Sequence, residues 1–153
     1  MVKNVFKKLG KKQKNNKGFS LVELIVVIAI MAVLVGVLAP QLIKYVEKSR
    51  EATDIQNADS IASTLKSYYS DKETTDEVIV TLSESGIAGD DTSALSDAGI
   101  SSDNTKLKGK KWTSIQISFD PKEGKIQYTV ANADDNKPAY YKASDDNTQL
   151  IPN

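Results

Sequence analysis

The segment Leu24–Ala39 is sixteen residues long and carries no charge and no strongly polar side chain, and an acid, Glu23, stands immediately before it. Leu21 and Val22 extend the apolar character backward past Glu23, and Leu42 and Ile43 extend it forward past Pro40. As a helix, Phe19 to Ile43 rises about 37 Å at roughly 1.5 Å per residue, enough to cross a hydrocarbon core of about 30 Å. A helix is the one single-segment structure that satisfies its own backbone groups there, so the run is expected to be helical despite its Val and Ile content.

Glu23 is the anomaly in that segment. A carboxylate deep in a bilayer costs about 2.5–3.5 kcal/mol on insertion scales and marks a function more often than not. One reading keeps it wet near the membrane surface. The other supplies a cation. Cutting the chain between Gly18 and Phe19 makes Phe19 a new N-terminus, whose amine has an ordinary pKa of about 7.7–8.0. That amine stands four residues from Glu23, so it suits a contact within one chain or with the Glu23 of a neighbour. The second arrangement sets an axial register between subunits.

The run Lys17-Gly18-Phe19-Ser20-Leu21-Val22-Glu23-Leu24 resembles the prepilin signature of type IV pilins and the related pseudopilins. The likeness covers the leader and the first half of the helix closely, and the remainder by architecture. It implies that a membrane aspartyl prepilin peptidase cuts after Gly18 and N-methylates Phe19. It also implies that Glu23 neutralises the Phe19 amine of an adjacent subunit as a filament grows. The implied fold is α+β: a long N-terminal helix, membrane-spanning in its first half, packed against a small antiparallel sheet of three to four strands.

Charge agrees with an exported protein. The first eighteen residues hold seven Lys and no acid; removing them from totals of 20 basic and 20 acidic side chains leaves 13 against 20, or −7. The basic leader marks the cytoplasmic side by the positive-inside rule. The acidic remainder has no basic stripe for nucleic acid. There is no Cys and no His, which removes disulfides, thiolate metal sites and the usual acid–base catalyst. No constellation remains to activate a nucleophile, so no catalytic, cofactor or metal residue is expected and the chain reads as a non-enzyme. Many pilins of double-membraned bacteria close a C-terminal loop with a disulfide; its absence here, with abundant Lys and Asn, points to a single-membraned source.

The expected organisation is a cleaved leader over 1–18, an apolar helix over 19–40, an amphipathic continuation over 41–69, a connector over 70–111, and a sheet with C-terminal loop over 112–153. An ordinary secretory signal is the competing account of the N-terminus. Its small-residue site, Val37-Leu38-Ala39, is followed by Pro40, which spoils it for a signal peptidase. Gly36 and Pro40 are spaced i, i+4, so Pro40 deprives the Gly36 carbonyl of its helical partner. The readings are a fixed kink or, as the resemblance implies, a weak point that loses helical order in assembled filaments.

Ile55, Ala58, Ala62, Leu65 and Tyr69 form a stripe at helical spacing, with Asp54, Asn57, Asp59, Ser60 and Ser63 opposite. Lys44, Glu47, Lys48, Arg50, Glu51 and Asp54 read as a solvated mixed-charge belt, with ion pairing between subunits as the alternative. Two near-repeats, Leu82–Ile87 and Leu95–Ile100, each resemble a helical turn stopped by Gly and closed by Ile. Thr113, Ile115, Ile117 and Phe119 alternate on one face of a strand, and Ile126, Tyr128 and Val130 on its hairpin partner, with Asp120–Gly124 as the turn. Ala139–Ala143 is a third strand candidate and Thr148–Ile151 a fourth. Asp90-Asp91, Asp134-Asp135 and Asp145-Asp146 lack calcium-loop spacing and read as Asx turns.

The function implied by the resemblance is a structural subunit of a type IV pilus serving twitching motility, adhesion and biofilm formation. Its expected partners are copies of itself in a helical homopolymer, the prepilin peptidase, the assembly platform and ATPase, and membrane lipid before assembly. Its expected location is the cytoplasmic membrane, single-pass with the N-terminus inside, and afterwards the cell-surface filament. Two alternatives use the same helix: a pseudopilin of a type II secretion or DNA-uptake machine, and a monomeric membrane-anchored binding module, which needs neither the cut at Gly18 nor Glu23.

Overall fold

The computed structural model describes residues 18–90 and 92–153. The basic leader up to Lys17, and Asp91 with the turn expected at it, lie outside the described residues. The chain forms two compact units, Met1–Pro40 and Gln41–Asn153. Helix α1, Leu21–Tyr69, is a continuous run of 49 residues through Pro40.

In the first unit every described residue is exposed. Leu21 to Leu38 includes fourteen large apolar side chains that each leave half or more of their surface open. In water such a face is unfavourable at roughly 25 cal/mol per Å², so it requires a cover.

The second unit is built on the remainder of α1. Its Ala58, Ile61, Ala62, Leu65 and Tyr69 are buried, the i, i+3, i+4, i+7 pattern of a core-facing stripe. Ile61 joins the expected stripe and Ile55 lies at its edge, only partly buried. The stripe packs in one core with a four-stranded antiparallel sheet. Its strands are β1 (Val78–Ser83), β2 (Gly86–Gly89), β3 (Trp112–Asp120) and β4 (Lys125–Asn132), in the order β2-β1-β3-β4. Val80 and Leu82 of β1 and Ile115 and Ile117 of β3 are fully buried, and each such side chain contributes about 1.5–3 kcal/mol. Tyr69 meets Phe119 with ring centroids 6.3 Å apart.

The α+β class stands, but the strands come from different places than expected. Two of the four lie in the segment assigned to the connector. Leu82–Ile87 is not a helical turn: Leu82 pairs with Ile87 and Ser83 with Gly86 across a two-residue hairpin loop, with Gly86 at φ 121°. The β-branched run before it, Val78-Ile79-Val80-Thr81, alternates buried and half-buried, and that periodicity carries the strand into the turn. The second copy behaves as expected. Helix α2 (Ser93–Asp97) ends with Ile100 N–H donating to the Leu95 carbonyl at 2.8 Å and Gly99 N–H to Ser96 at 3.0 Å. Gly99 takes φ 75°, the left-handed residue such an ending requires.

The candidate strands near the C-terminus, β5 (Tyr141–Ala143) and β6 (Leu150–Pro152), pair in a separate two-stranded ladder. In β3 the expected face fails at one end. A register shift between Trp112 and Ser114 buries Trp112 and exposes Thr113, although Thr113 shares parity with Ile115. A bulge of this kind re-aims one side chain without disturbing the rest of the ladder.

Candidate functional site

Gly18, Phe19 and Ser20 lie ahead of α1 and are exposed, Phe19 to 89%. The Gly18–Phe19 bond is thus outside the helical hydrogen-bond ladder. A Cβ at Gly18 would meet nothing within 4 Å, so the narrowness expected of that position is not demanded by the fold. Glu23 accepts a hydrogen bond from the Ser20 main-chain N–H at 2.8 Å, and the Ser20 carbonyl accepts from Leu24 N–H at 3.1 Å. With Ser20 as N-cap and Glu23 three residues on, this is the glutamate arm of a capping box. It also places negative charge at the positive end of the helix dipole.

The partner expected for Glu23 from the sequence is the Phe19 amine; the structure adds the Ser20 amide. The signal was present in Ser20-Leu21-Val22-Glu23, the S-x-x-E pattern that precedes an apolar run at a helix start. The bond uses one carboxylate oxygen, Oε2. A carboxylate offers two oxygens with several lone-pair positions, so the group can cap its own helix and still accept from a second donor.

Gly36 and Pro40 both lie in the apolar part of α1. The helix runs through them, and a Cβ at Gly36 would meet nothing within 4 Å. Pro40 lacks an N–H, so the Gly36 carbonyl has no i+4 donor. The most apolar window of α1 is long enough to cross a membrane, and none of it is buried.

In the second unit the mixed-charge belt is solvated in its cations, Lys44, Lys48 and Arg50, but not in its acids. Glu51 and Asp54 are fully buried, and with Glu47 they occupy one side of α1 at i, i+4 and i+7. Asp54 accepts from Lys108 N–H at 2.8 Å, from Gly109 N–H at 2.6 Å and from the Trp112 indole N–H at 3.0 Å. Glu51 accepts from Tyr140 N–H at 2.6 Å, and Glu47 from Lys110 N–H. Three successive amides, those of Lys108, Gly109 and Lys110, therefore face two carboxylates of the helix, Asp54 and Glu47, while Glu51 holds Tyr140. Burial pushes the Asp54 carboxyl up, opposed by the Gly109, Lys108 and Trp112 bonds. Burial likewise pushes Glu51 up, opposed by the Tyr140 amide and the Lys111 charge. Gly109 is forced by the contact: a Cβ there would stand 2.6 Å from the Trp112 indole nitrogen and 3.0 Å from Asp54 Oδ2.

The remaining acid pairs serve turns. Asp134 accepts from Asn136 N–H at 2.9 Å. Asp146 accepts from the hydroxyls of Ser144 at 2.6 Å and Thr148 at 2.9 Å, which hold its carboxyl down at about 2. Among the described residues no group of three or more His, Cys, Asp or Glu is placed to hold a metal ion.

Comparison with known proteins bears on the N-terminal part. Residues 13–39 match the family described as the prokaryotic N-terminal methylation motif. The chain is similar to the type IV major pilin protein PilA of Myxococcus xanthus (strain DK1622), with 33% identity over 58 residues. That match takes in 38% of this chain and 26% of the relative, so it spans about a quarter of the relative's length. No solved structure matches the chain. The N-terminal methylation motif, the stretch shared with a pilin and the long apolar helix that goes on to pack with an antiparallel sheet make this chain similar to type IV pilins.

Proposed function

We propose that the chain is the structural subunit of a type IV pilus. On this reading prepilin peptidase cuts after Gly18 and N-methylates Phe19. The subunit waits in the cytoplasmic membrane as a single-pass protein with its N-terminus inside. The assembly platform and its ATPase then move it into a surface filament of like copies, used for twitching motility, adhesion and biofilm formation. It is a building block and not a catalyst.

The supporting observation is the pairing of an unburied, membrane-length apolar helix with one carboxylate, Glu23, at its first turn, directly after an exposed Gly18-Phe19 junction. Lipid covers the helix before assembly, and neighbouring helices cover it afterwards. Glu23 holds its own Ser20 amide and takes the Phe19 ammonium of the next subunit as its second donor, which fixes the axial register. Gly36–Pro40, short of one helical bond, is where the helix gives way as subunits pack.

N-terminal sequencing of the mature chain tests the processing; the expected start is N-methylated Phe19, and an intact Met1 overturns it. Glu23→Ala is expected to insert in the membrane normally and to yield few or no filaments by electron microscopy. Filaments of normal number and length from that variant overturn the register role.

A further inference from the structure

The burial of Glu51 and Asp54 changes the character of the ten residues that follow Pro40. In Gln41–Arg50 the sole acid is Glu47. Its side chain is only 14% exposed, turned toward the Lys110 amide and 3.6 Å from the Arg50 guanidinium. The cations Lys44, Lys48 and Arg50 are exposed. A belt that is balanced in sequence is therefore basic where it meets its surroundings. Lys110, whose main chain is bonded to Glu47, adds a fourth exposed cation. Next to these charges along α1, Leu42, Ile43 and Tyr45 each leave more than 60% of their surface open.

We propose that Lys44, Lys48, Arg50 and Lys110 form a docking surface for anionic phospholipid headgroups. The inference rests on the membrane-anchored reading above. Cations interleaved with Tyr and aliphatic side chains are the composition that settles at a headgroup boundary. A phospholipid surface accommodates both the cations and the exposed Leu42 and Ile43. Lys44 to Arg50 covers about 9 Å of helix, within about one Debye length at 0.1 M salt, so one anionic surface attracts all three α1 cations at once. The surface would hold the second unit against the membrane until the subunit is withdrawn.

The test reconstitutes the full chain, a single copy per disc, in lipid nanodiscs of phosphatidylcholine alone or of an equal mixture with phosphatidylglycerol. Each lysine is then scored by acylation with a water-soluble amine reagent and mass spectrometry. Lys44, Lys48 and Lys110 are expected to react about fivefold more slowly in the mixed discs, the effect of one cation at an anionic leaflet, and to recover in high salt. Lys66, Lys122 and Lys125 are expected to react alike in both. Equal reactivity of the three lysines in the two lipids overturns the proposal, as does slowing that extends to Lys122 and Lys125. Slowing in neutral discs that appears only when several copies share a disc makes the partner a second copy and overturns it too. A chain that enters neither disc refutes the anchor and this inference with it, whereas entry with unchanged lysines refutes this inference alone.

Discussion

Replacing Asp54 by Ala withdraws one carboxylate from three donors at once: the Lys108 and Gly109 amides and the Trp112 indole. The Lys108 bond is part-buried and its N–H can turn to water, while the Gly109 and Trp112 bonds are buried. Two stranded buried donors cost about 1–3 kcal/mol each. Against this, the variant no longer desolvates a carboxylate, a penalty visible in the raised pKa of Asp54. The net expectation is a loss of about 2–4 kcal/mol, equivalent to a fall in Tm of about 8–17 °C for a unit of this size. Trp112 is the single tryptophan and is 3% exposed, so its fluorescence in a urea titration reports both the loss of stability and the release of its own indole bond. Asp54→Asn, which keeps an acceptor oxygen, is expected to fall between the two. An Asp54→Ala midpoint within about 0.5 kcal/mol of the parent would show that the carboxylate does not hold the loop to the helix.

The same burial gives stability a definite pH dependence. Asp54 and Glu51 have folded pKa values raised above the unfolded ones, so their contribution is fully present below the ordinary carboxylate range near 4. It is lost as pH rises through the raised values; denaturation at a series of pH values is expected to show that decline, and Asp54→Asn to flatten it. Asp146, held down at about 2, acts in the opposite sense and weakens its turn only as pH falls through that value. Gly109→Ala is expected to cost about 1–3 kcal/mol in the same urea assay, because its Cβ would stand 2.6 Å from the Trp112 nitrogen and 2.9 Å from Glu51 Cγ. At the other end of α1, Glu23→Gln keeps a capping-box acceptor and Glu23→Ala removes it. Amide exchange at Ser20 is expected to rise several-fold in the Ala variant and little in the Gln variant; equal exchange in the two would place the cap elsewhere.

What the sequence disclosed followed periodicity. The Ala58–Tyr69 stripe and the β3–β4 hairpin repeat at 3.6 and 2 residues, and both formed as expected. Where long-range partners decide the outcome, periodicity was silent. Asp54 looks like an exposed polar position on α1 because its donors lie more than fifty residues away in sequence. Trp112 and Thr113 exchange faces through a bulge that leaves no mark in the hydrophobic alternation. Val78–Ser83 is masked by the polar residues that surround so short a strand, despite its β-branched content. At the candidate site the spacing of Gly18, Phe19 and Glu23 is carried by the sequence itself. The Ser20–Glu23 box is legible there as well, in the S-x-x-E spacing.

The attachment of residues 108–110 to α1 has a consequence for how the protein's outer coat can change. Glu47, Glu51 and Asp54 hold main-chain amides of that loop and of Tyr140, not the lysine side chains beside them. Lys106, Lys108 and Lys110 point outward and are bystanders to their own anchorage. A new side chain at any of the three repaints the surface while the frame beneath keeps its grip, whereas Leu107, in the core, and Gly109, pressed against the helix, are denied that freedom.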